Sequence, residues 1–378
     1  MAKQLRVGVI FGGRSGEHEI SVRSAAFLIQ SIDKKKFDVL PIAISREGKW
    51  LSPPEASRLL PQSTQSLLSP LRLSETSGTV AILGDPSQTG LLSFDQSGAL
   101  TSERLDVVFP VLHGPFGEDG TLQGLLEMAN IPYVGCGVLA SACGMDKVAM
   151  KLLFLQAGLP MCKYVWFLRS HWQDDRARVI RTVMREIGLP CFVKPANLGS
   201  SVGVSRADDK ASLEQAVELA ARYDRKLVVE EAVDAREIEC AVIGNDEPRA
   251  SLPGEYVVHD NAARFLNYEE KYTKTGHVDF VVPAPVSKSL ATKIQRLAIK
   301  AFQSIDGAGL ARVDFFLRRD TKELLVNELN TMPGLTEVSG YPKMWAASGI
   351  SYSRMLDLLI KLALERHREK SLNKTTRD

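Results

Sequence analysis

Toward its C-terminus the chain reads Ala311-Arg312-Val313-Asp314, then a polar turn over residues 318–322, then Asn327-Glu328-Leu329-Asn330-Thr331-Met332-Pro333-Gly334. Apolar runs flank the turn, which predicts a β-hairpin. Side chains alternate along a strand, so Arg312 shares a face with Asp314, and Glu328 with Asn330. Opposite or diagonal neighbours in an antiparallel pair lie within roughly 8 Å. Three oxygen-bearing side chains and one guanidinium would therefore converge. Such oxygens are hard ligands suited to Mg²⁺, which usually keeps waters and phosphate oxygens in its shell as well. The hairpin predicts a metal–nucleotide site.

Other residues have the types such a site needs. Lys194-Pro195 leads into Ala196-Asn197-Leu198-Gly199-Ser200-Ser201-Val202-Gly203. Glycine lets backbone approach a ligand, and its N–H groups can surround phosphate oxygens. Lys194 would add a point charge. No Gly-Lys-Ser/Thr follows, so this is not a Walker A loop, and a plain glycine turn also accounts for it. Gly12-Gly13-Arg14-Ser15-Gly16-Glu17-His18-Glu19 fails the G-x-G-x-x-G spacing, which disfavours a Rossmann dinucleotide site. Glu17 either reaches the carboxyl ends of the strands or simply opens a helix, where the dipole favours an acid. His113, at the end of a predicted strand, fits a ligand contact or a structural hydrogen bond. Lys147, Glu230, Glu231 and the loop pair Lys271-Tyr272 each fit a nucleotide contact or a solvated surface residue.

Composition narrows the possibilities. The 378 residues leave room for two or three domains, and 44% apolar with 24% charged residues argues against disorder. A net charge of +2 gives no electrostatic case for nucleic acid or a membrane surface, and no apolar run is long enough to span a bilayer. Met1-Ala2-Lys3-Gln4-Leu5 leads into a strand without a signal-peptide core. The five cysteines contain no C-x-x-C pair and read as reduced core thiols, so a cytoplasmic protein is expected.

The elements that must position these residues follow from periodicity. A strand over 5–11, a helix over 21–32, a strand over 105–112, a helix over 120–128 and a strand over 131–134 predict an open parallel α/β domain, residues 1–144. Residues 52–96, rich in Ser, Pro and Gly, predict an irregular or hairpin insertion. A helix over 146–156 closed by Gly158, strands over 163–168, 191–195 and 226–231, one beginning near 204, and helices over 174–187 and 213–223 predict an α+β domain, residues 145–236. Residues 237–378 open with strands, continue through a polar loop over 259–277 and a helix over 288–304, and end in the hairpin. The polar tail 366–378 is expected to fray.

Taken in order, these strings resemble the bacterial D-alanine–D-alanine ligases of the ATP-grasp superfamily. They are Gly12-Gly13 with Glu17-His18-Glu19, Leu112-His113-Gly114 with Gly117-Glu118-Asp119-Gly120, Met145-Asp146-Lys147, Val193-Lys194-Pro195 with Gly199-Ser200-Ser201-Val202-Gly203, residues 269–272, Arg312-Val313-Asp314, and residues 327–334. The resemblance runs from Val7 to about Leu364 and includes the insertion after Trp50, as in the longer form of these enzymes. It implies an ATP-grasp fold behind an N-terminal α/β domain, ATP as the nucleotide, two Mg²⁺ (or Mn²⁺) ions, D-alanine as substrate and a homodimer. By this likeness Lys147 and Lys194 contact the phosphates, and Ser201 and Lys271 belong to the ATP-binding set. Glu230, the backbone near Glu231 and Val233, and Glu237 hold adenine and ribose, and Phe265 packs near the base. Asp314, Glu328 and Asn330 bind the metal. Glu17 and His113 belong to the pocket of the first D-alanine, and Glu17, Ser200 and Tyr272 form a hydrogen-bonded set. Arg312 and the Gly334 N–H stabilise an oxyanion, while Ser339 and Gly340 hold the second D-alanine carboxylate. The chain departs from the pattern at Glu337 and Val338, where smaller or more polar residues are frequent, and at Gly340, which replaces an apolar residue.

The implied chemistry is ATP-driven ligation through an acyl phosphate, feeding peptidoglycan synthesis. A depsipeptide-forming relative using D-lactate is the alternative. Such relatives generally carry histidine in the lid, so Tyr272 favours the amine-using enzyme. A non-catalytic nucleotide-binding module is the third possibility.

Overall fold

Leu5–Gly12 and Phe37–Ile44 are near-continuous apolar runs, the pattern of strands covered on both faces. In the computed structural model of the chain, which describes residues 4–68, 79–88, 90–94, 100–199, 201–258, 278–374 and 377, they pair in parallel along their whole length. Val107–Pro110 pairs in parallel on the other side of Leu5–Gly12, and Trp50–Leu51 closes the edge antiparallel. The helix His18–Ser31 packs on this sheet. The sheet therefore delivers Gly12-Gly13 and the segment after Pro110 to one rim.

Next comes a four-stranded antiparallel sheet in the order Ser205–Ala207, Cys191–Pro195, Lys226–Glu231, Tyr164–Leu168. The helices Arg176–Glu186 and Lys210–Ala220 cover one face, burying Val179, Ile180, Val183, Leu213, Ala216 and Val217. The third sheet runs Val278–Val281, Gly254–Val258, Ala235–Gly244, Gly309–Arg318, Leu324–Asn330, with Arg249–Ala250 also paired to Ala235–Gly244. Ser287 caps the helix Lys288–Ser304, whose buried Ile294, Leu297, Ala298, Ala301 and Phe302 recur at helical spacing against this sheet.

One apolar cluster binds the first sheet to the last. Val7, Val9 and Phe11 meet Ala241, Ile243, Leu310 and Leu335, and the helix Tyr352–Lys370 adds Met355, Leu356, Leu359 and Ile360. The rim of the parallel sheet is thus held over the C-terminal sheet by burial rather than by a tether.

Several expectations change. The insertion is more ordered than its composition suggests. Ser52 and Glu55 form a capping box on Pro53–Arg58, and Thr79–Ala81, Gly90–Phe94 and Leu100–Arg104 make a three-stranded antiparallel sheet. Leu100–Arg104 is almost wholly exposed, so no apolar alternation marked it, and the strand expected over 105–112 narrows to Val107–Pro110. The helix expected over 174–187 is Arg176–Glu186, started by the Asp175 side chain, which accepts from Arg178 N, and a short helix that was not expected, Arg169–Asp174, precedes it. Val138–Met145, apolar on every side and so without period, is a helix that periodicity did not reveal. The strand expected over 131–134 is a single bridge, Val108 to Tyr133.

The tail does not fray at residue 366. The last helix continues to Lys370, and Arg366 donates to the carbonyls of Gly135 and Tyr133 (3.1 Å for the latter) while lying 4.3 Å over the Tyr133 ring. Arg366→Ala strands two carbonyls and should lower unfolding free energy by about 1–3 kcal/mol. A denaturant melt checks this, with catalytic constants unchanged.

Candidate active site

The hairpin forms in the expected register. Gly309–Arg318 pairs with Leu324–Asn330 so that Arg312 opposes Asn330 and Asp314 opposes Glu328, with an irregularity after Asp314. The adjacent strand adds Glu239 opposite Asp314, and beyond it Gly254 opposite Glu239. Gly254, Glu239, Asp314 and Glu328 form one row across four strands on one face. Arg312 grips Asp314 with two hydrogen bonds, Nε to Oδ1 and Nη2 to Oδ2, both 2.7 Å, and its Nε lies 3.2 Å from Glu239 Oε1. Asn330 Oδ1 accepts from Met332 N at 2.9 Å, which fixes the chain as it leaves the strand. Glu239, only 2% exposed, is a site residue that sequence reasoning missed. Its alternation with Glu237 was the available signal. Glu237 is half-buried on the same strand face.

A second group faces this row. Glu230, 3% exposed at the end of Lys226–Glu231, receives Lys194 Nζ on Oε2 at 2.7 Å and Lys151 Nζ on Oε1 at 3.0 Å. Burial by itself would raise the Glu230 carboxyl, but the two ammonium groups overcome it and hold the pKa at about 2. Burial likewise opposes charge on Lys151 and Lys194, and Glu230 reverses it, raising both. Lys147 starts the helix Lys147–Gln156, which Asp146 caps, and its Nζ donates to Leu198 O at 2.6 Å. Burial lowers its pKa and Glu328 opposes that shift, which ties the hairpin and the lysines to one space. Lys151, missed from sequence, lies one helical turn beyond Lys147 on the same face. Glu231 turns away, accepting from Lys163 N at 2.9 Å and Arg318 Nη2 at 2.7 Å, and Val233 is half-buried just past it.

The N-terminal rim supplies the third group. Glu17 lies close to glycines on two sides: a Cβ at Gly114 or at Gly199 would come 3.2 Å from its Oε2. One carboxylate thus touches both the rim and the glycine loop of the central sheet. Ser201, exposed in that loop, adopts a φ of 57°. His113 is buried. Its Nδ1 lies 3.0 Å from Met332 O, and its Nε2 has no hydrogen-bond partner among the described residues. Burial would lower the imidazole pKa, but Glu118 at 3.9 Å, with Glu17 beyond, raises it. Glu118 Oε2 also accepts from Gly114 N at 2.9 Å, so the His113-to-Glu118 segment closes on itself. Gly334 and Ser339 are buried past Met332, with Ser339 Oγ 2.7 Å from Thr336 Oγ1. Gly340 begins the helix Gly340–Ala347. Glu337 is exposed and reaches Arg23 at 3.7 Å. Ser200, Phe265, Lys271 and Tyr272 lie outside the described residues.

The arrangement suits transfer of a phosphoryl group. Buried cations line one wall, a row of carboxylates lines the other, and a carboxylate and a histidine with an unpaired nitrogen look in from the third. Among the described residues no three His, Cys, Asp or Glu side chains make a closed metal cage. Asp314, Glu328 and Asn330 instead offer an open set of hard oxygens, and Asp314 keeps lone pairs beyond those Arg312 uses. That fits Mg²⁺, which completes its shell with water and phosphate.

A parallel α/β domain set over two antiparallel sheets that enclose such a space is the ATP-grasp class of ligase architecture. The chain matches the family descriptions "D-ala D-ala ligase N-terminus" over residues 6–136 and "D-ala D-ala ligase C-terminus" over residues 153–361. It is 47% identical to the D-alanine–D-alanine ligase of Heliobacterium modesticaldum, covering 100% of this chain and 99% of that one. It is 44% identical to that of Natranaerobius thermophilus, covering 99% and 98%. Among solved structures, the D-alanine–D-alanine ligase of Coxiella burnetii aligns with a TM-score of 0.82 at 35% identity, over 98% of this chain and 97% of that one. VanG D-Ala:D-Ser ligase of Enterococcus faecalis aligns with a TM-score of 0.82 at 35% identity, over 96% and 100%. This chain belongs to the D-alanine–D-alanine ligase family.

The lysine–glutamate clamp makes two expectations. Lys151→Met leaves a buried carboxylate half-compensated and should cost about 3–5 kcal/mol of stability, part of which Lys151→Met/Glu230→Gln recovers. The Glu230 pKa is depressed on folding. Its stabilising contribution is therefore complete above its ordinary value of 4.5 and lost as pH falls toward about 2. Acid titrations of wild type and Glu230→Gln should differ in that window and run parallel above it.

Proposed function

We propose that this chain joins two D-alanine molecules at the expense of ATP, forming D-alanyl-D-alanine, ADP and phosphate for peptidoglycan synthesis. The observation that carries this is the shared face of Arg312, Asp314, Glu328 and Asn330 opposite the half-buried Lys147 and Lys194. A free carboxylate is a poor acyl donor because oxide would have to leave. Attack of one D-alanine carboxylate oxygen on the γ-phosphorus, with the bond to ADP breaking, makes an acyl phosphate whose leaving group is phosphate. The need in that step is charge neutralisation rather than a covalent protein nucleophile.

Lys147 and Lys194 hold the phosphates, and Ser201 and Lys271 join the ATP-binding set. Glu230, the backbone at Glu231 and Val233, Glu237 and Phe265 surround adenine and ribose. Asp314, Glu328 and Asn330 would hold Mg²⁺, or Mn²⁺, which supplies neutralisation of the phosphate charge when bound. Glu17 and His113 orient the first D-alanine, and the unpartnered His113 Nε2 is the polar atom available to it. Glu17, Ser200 and Tyr272 act as a set over that substrate. Ser339 and Gly340 receive the carboxylate of the second D-alanine. Its ammonium group must shed a proton before the amine attacks the acyl carbon and phosphate leaves. Arg312 and the Gly334 N–H meet the oxyanion. Exclusion of water protects the acyl phosphate. Boundaries at residues 144 and 236, a homodimer and a cytoplasmic location belong to the same proposal.

An ADP-release assay across D- and L-amino acids and D-hydroxy acids tests this reading. D-Alanine should give dipeptide and one phosphate per bond formed, and D-lactate should fail to compete at neutral pH. Absence of dipeptide rejects the reading. Glu328→Gln should lower kcat about 10²-fold or more, the size of loss typical when a transition-state charge partner is removed, with the fold intact by circular dichroism. Tyr272→Phe should weaken discrimination between D-alanine and D-lactate without lowering Tm.

A further inference from the structure

The row of carboxylates does not end at Glu239. Its next position is Gly254, and the side chain that occupies the space above it is Phe280, from the neighbouring strand Val278–Val281. Phe280 opposes Tyr256, which lies two residues from Gly254, so its ring stands on the same face as Glu239 and Asp314. The ring packs against Tyr256 with centroids 4.7 Å apart at a tilt of 56°. A Cβ at Gly254 would lie 2.4 Å from Phe280 Cζ. A Cβ at Gly340 would lie 2.8 Å from the same atom and 2.6 Å from Glu239 Oε2. Neither glycine has a positive φ, so neither is needed for backbone conformation. Gly254 is needed to admit the ring, and Gly340 to admit both the ring and the Glu239 carboxylate. A side chain at position 340 and an aromatic ring at position 280 exclude each other.

This juxtaposition places Phe280 against the Ser339–Gly340 turn and next to Glu239, which Arg312 contacts. We propose that Phe280 is the specificity-determining wall of the acceptor subsite, taking the place a side chain at 340 would have filled and limiting the second substrate to a small Cα substituent. The inference rests on the ligase reading and on Ser339 and Gly340 lying at the second D-alanine. The ring makes no polar contact, so it acts by excluded volume. An added methylene in such a pocket typically changes kcat/KM about 10–200-fold.

The test compares wild type, Phe280→Ala, Phe280→Leu, Gly340→Leu and Phe280→Ala/Gly340→Leu, with D-alanine as donor and D-alanine, D-serine or D-2-aminobutyrate as acceptor. Phe280→Ala should raise the kcat/KM ratio of D-2-aminobutyrate to D-alanine at least tenfold through the acceptor KM. KM for ATP and for the donor D-alanine should stay within twofold, and Phe280→Leu should fall between. Gly340→Leu alone should lower Tm and activity, and the double variant, relieved of the ring but not of Glu239 Oε2, should regain part of both together with a narrower acceptor range than Phe280→Ala. A folded Phe280→Ala with an unchanged acceptor ratio, while wild type makes dipeptide, overturns this inference and leaves the ligase reading standing. Equal tolerance of Gly340→Leu with and without the ring also overturns it. A wild type that forms no dipeptide overturns both.

Discussion

An ammonium group loses most of its hydration on burial, and two ammonium groups side by side repel as well. The centre of this protein nevertheless holds the buried Lys151 beside the half-buried Lys147 and Lys194. The Glu230 carboxylate makes that possible. It gives one oxygen to Lys151 and the other to Lys194, and all three groups stay charged. Glu230 can serve because Lys226–Glu231 is central in its sheet, pairing with Cys191–Pro195 on one side and Tyr164–Leu168 on the other. The phosphate wall of the site is thus the outcome of one strand's position. If Glu230 lost its charge, burial would favour neutral lysines, and the wall would lose the property that lets it meet a nucleotide.

The opposite wall is built by register. Glu239, Asp314 and Glu328 come from three consecutive strands of one sheet and fall in a row because antiparallel pairing sets each opposite the next. Arg312 binds two of them and keeps their mutual repulsion in check. The third wall depends on close approach. Glu17 fits between Gly114 and Gly199, and the His113–Met332 contact fastens the parallel sheet's rim to the exit of the hairpin. The shared apolar cluster beneath them makes these contacts between separate sheets persistent. Ligase chemistry needs all three walls at once, since the phosphoryl donor, the acyl carbon and the incoming amine must meet in one dry space.

Much of this was legible in the chain. The hairpin could be read because its strands are adjacent in sequence and its polar residues recur with period two. The parallel strands could be read because double-sided burial leaves unbroken apolar runs, and the helix Lys288–Ser304 because one apolar stripe faces one sheet. Leu100–Arg104 was hidden for the opposite reason: solvent on nearly every residue imposes no pattern. Nothing in the local sequence set Lys151 apart, and only its 1% exposure against Glu230 gives it a role. Glu239 needed a partner far along the chain before its burial made sense. Gly340 appeared as a departure from the family pattern, and the Glu239 carboxylate and the Phe280 ring, which a Cβ there would meet at 2.6 and 2.8 Å, supply the physical reason.

The order and spacing of Arg312, Asp314, Glu328 and Asn330, the glycine loop after Lys194, and the apolar periods of the main elements were set by local chemistry. These suffice for the fold class and the family because each acts over a few neighbouring residues. Which lysines share a carboxylate, which strand adds the third acid, and which ring fills the gap at Gly340 were decided only in three dimensions. Those are contacts between residues far apart in the chain. Their energies come from desolvation and excluded volume, which depend on what surrounds a side chain rather than on what adjoins it in sequence.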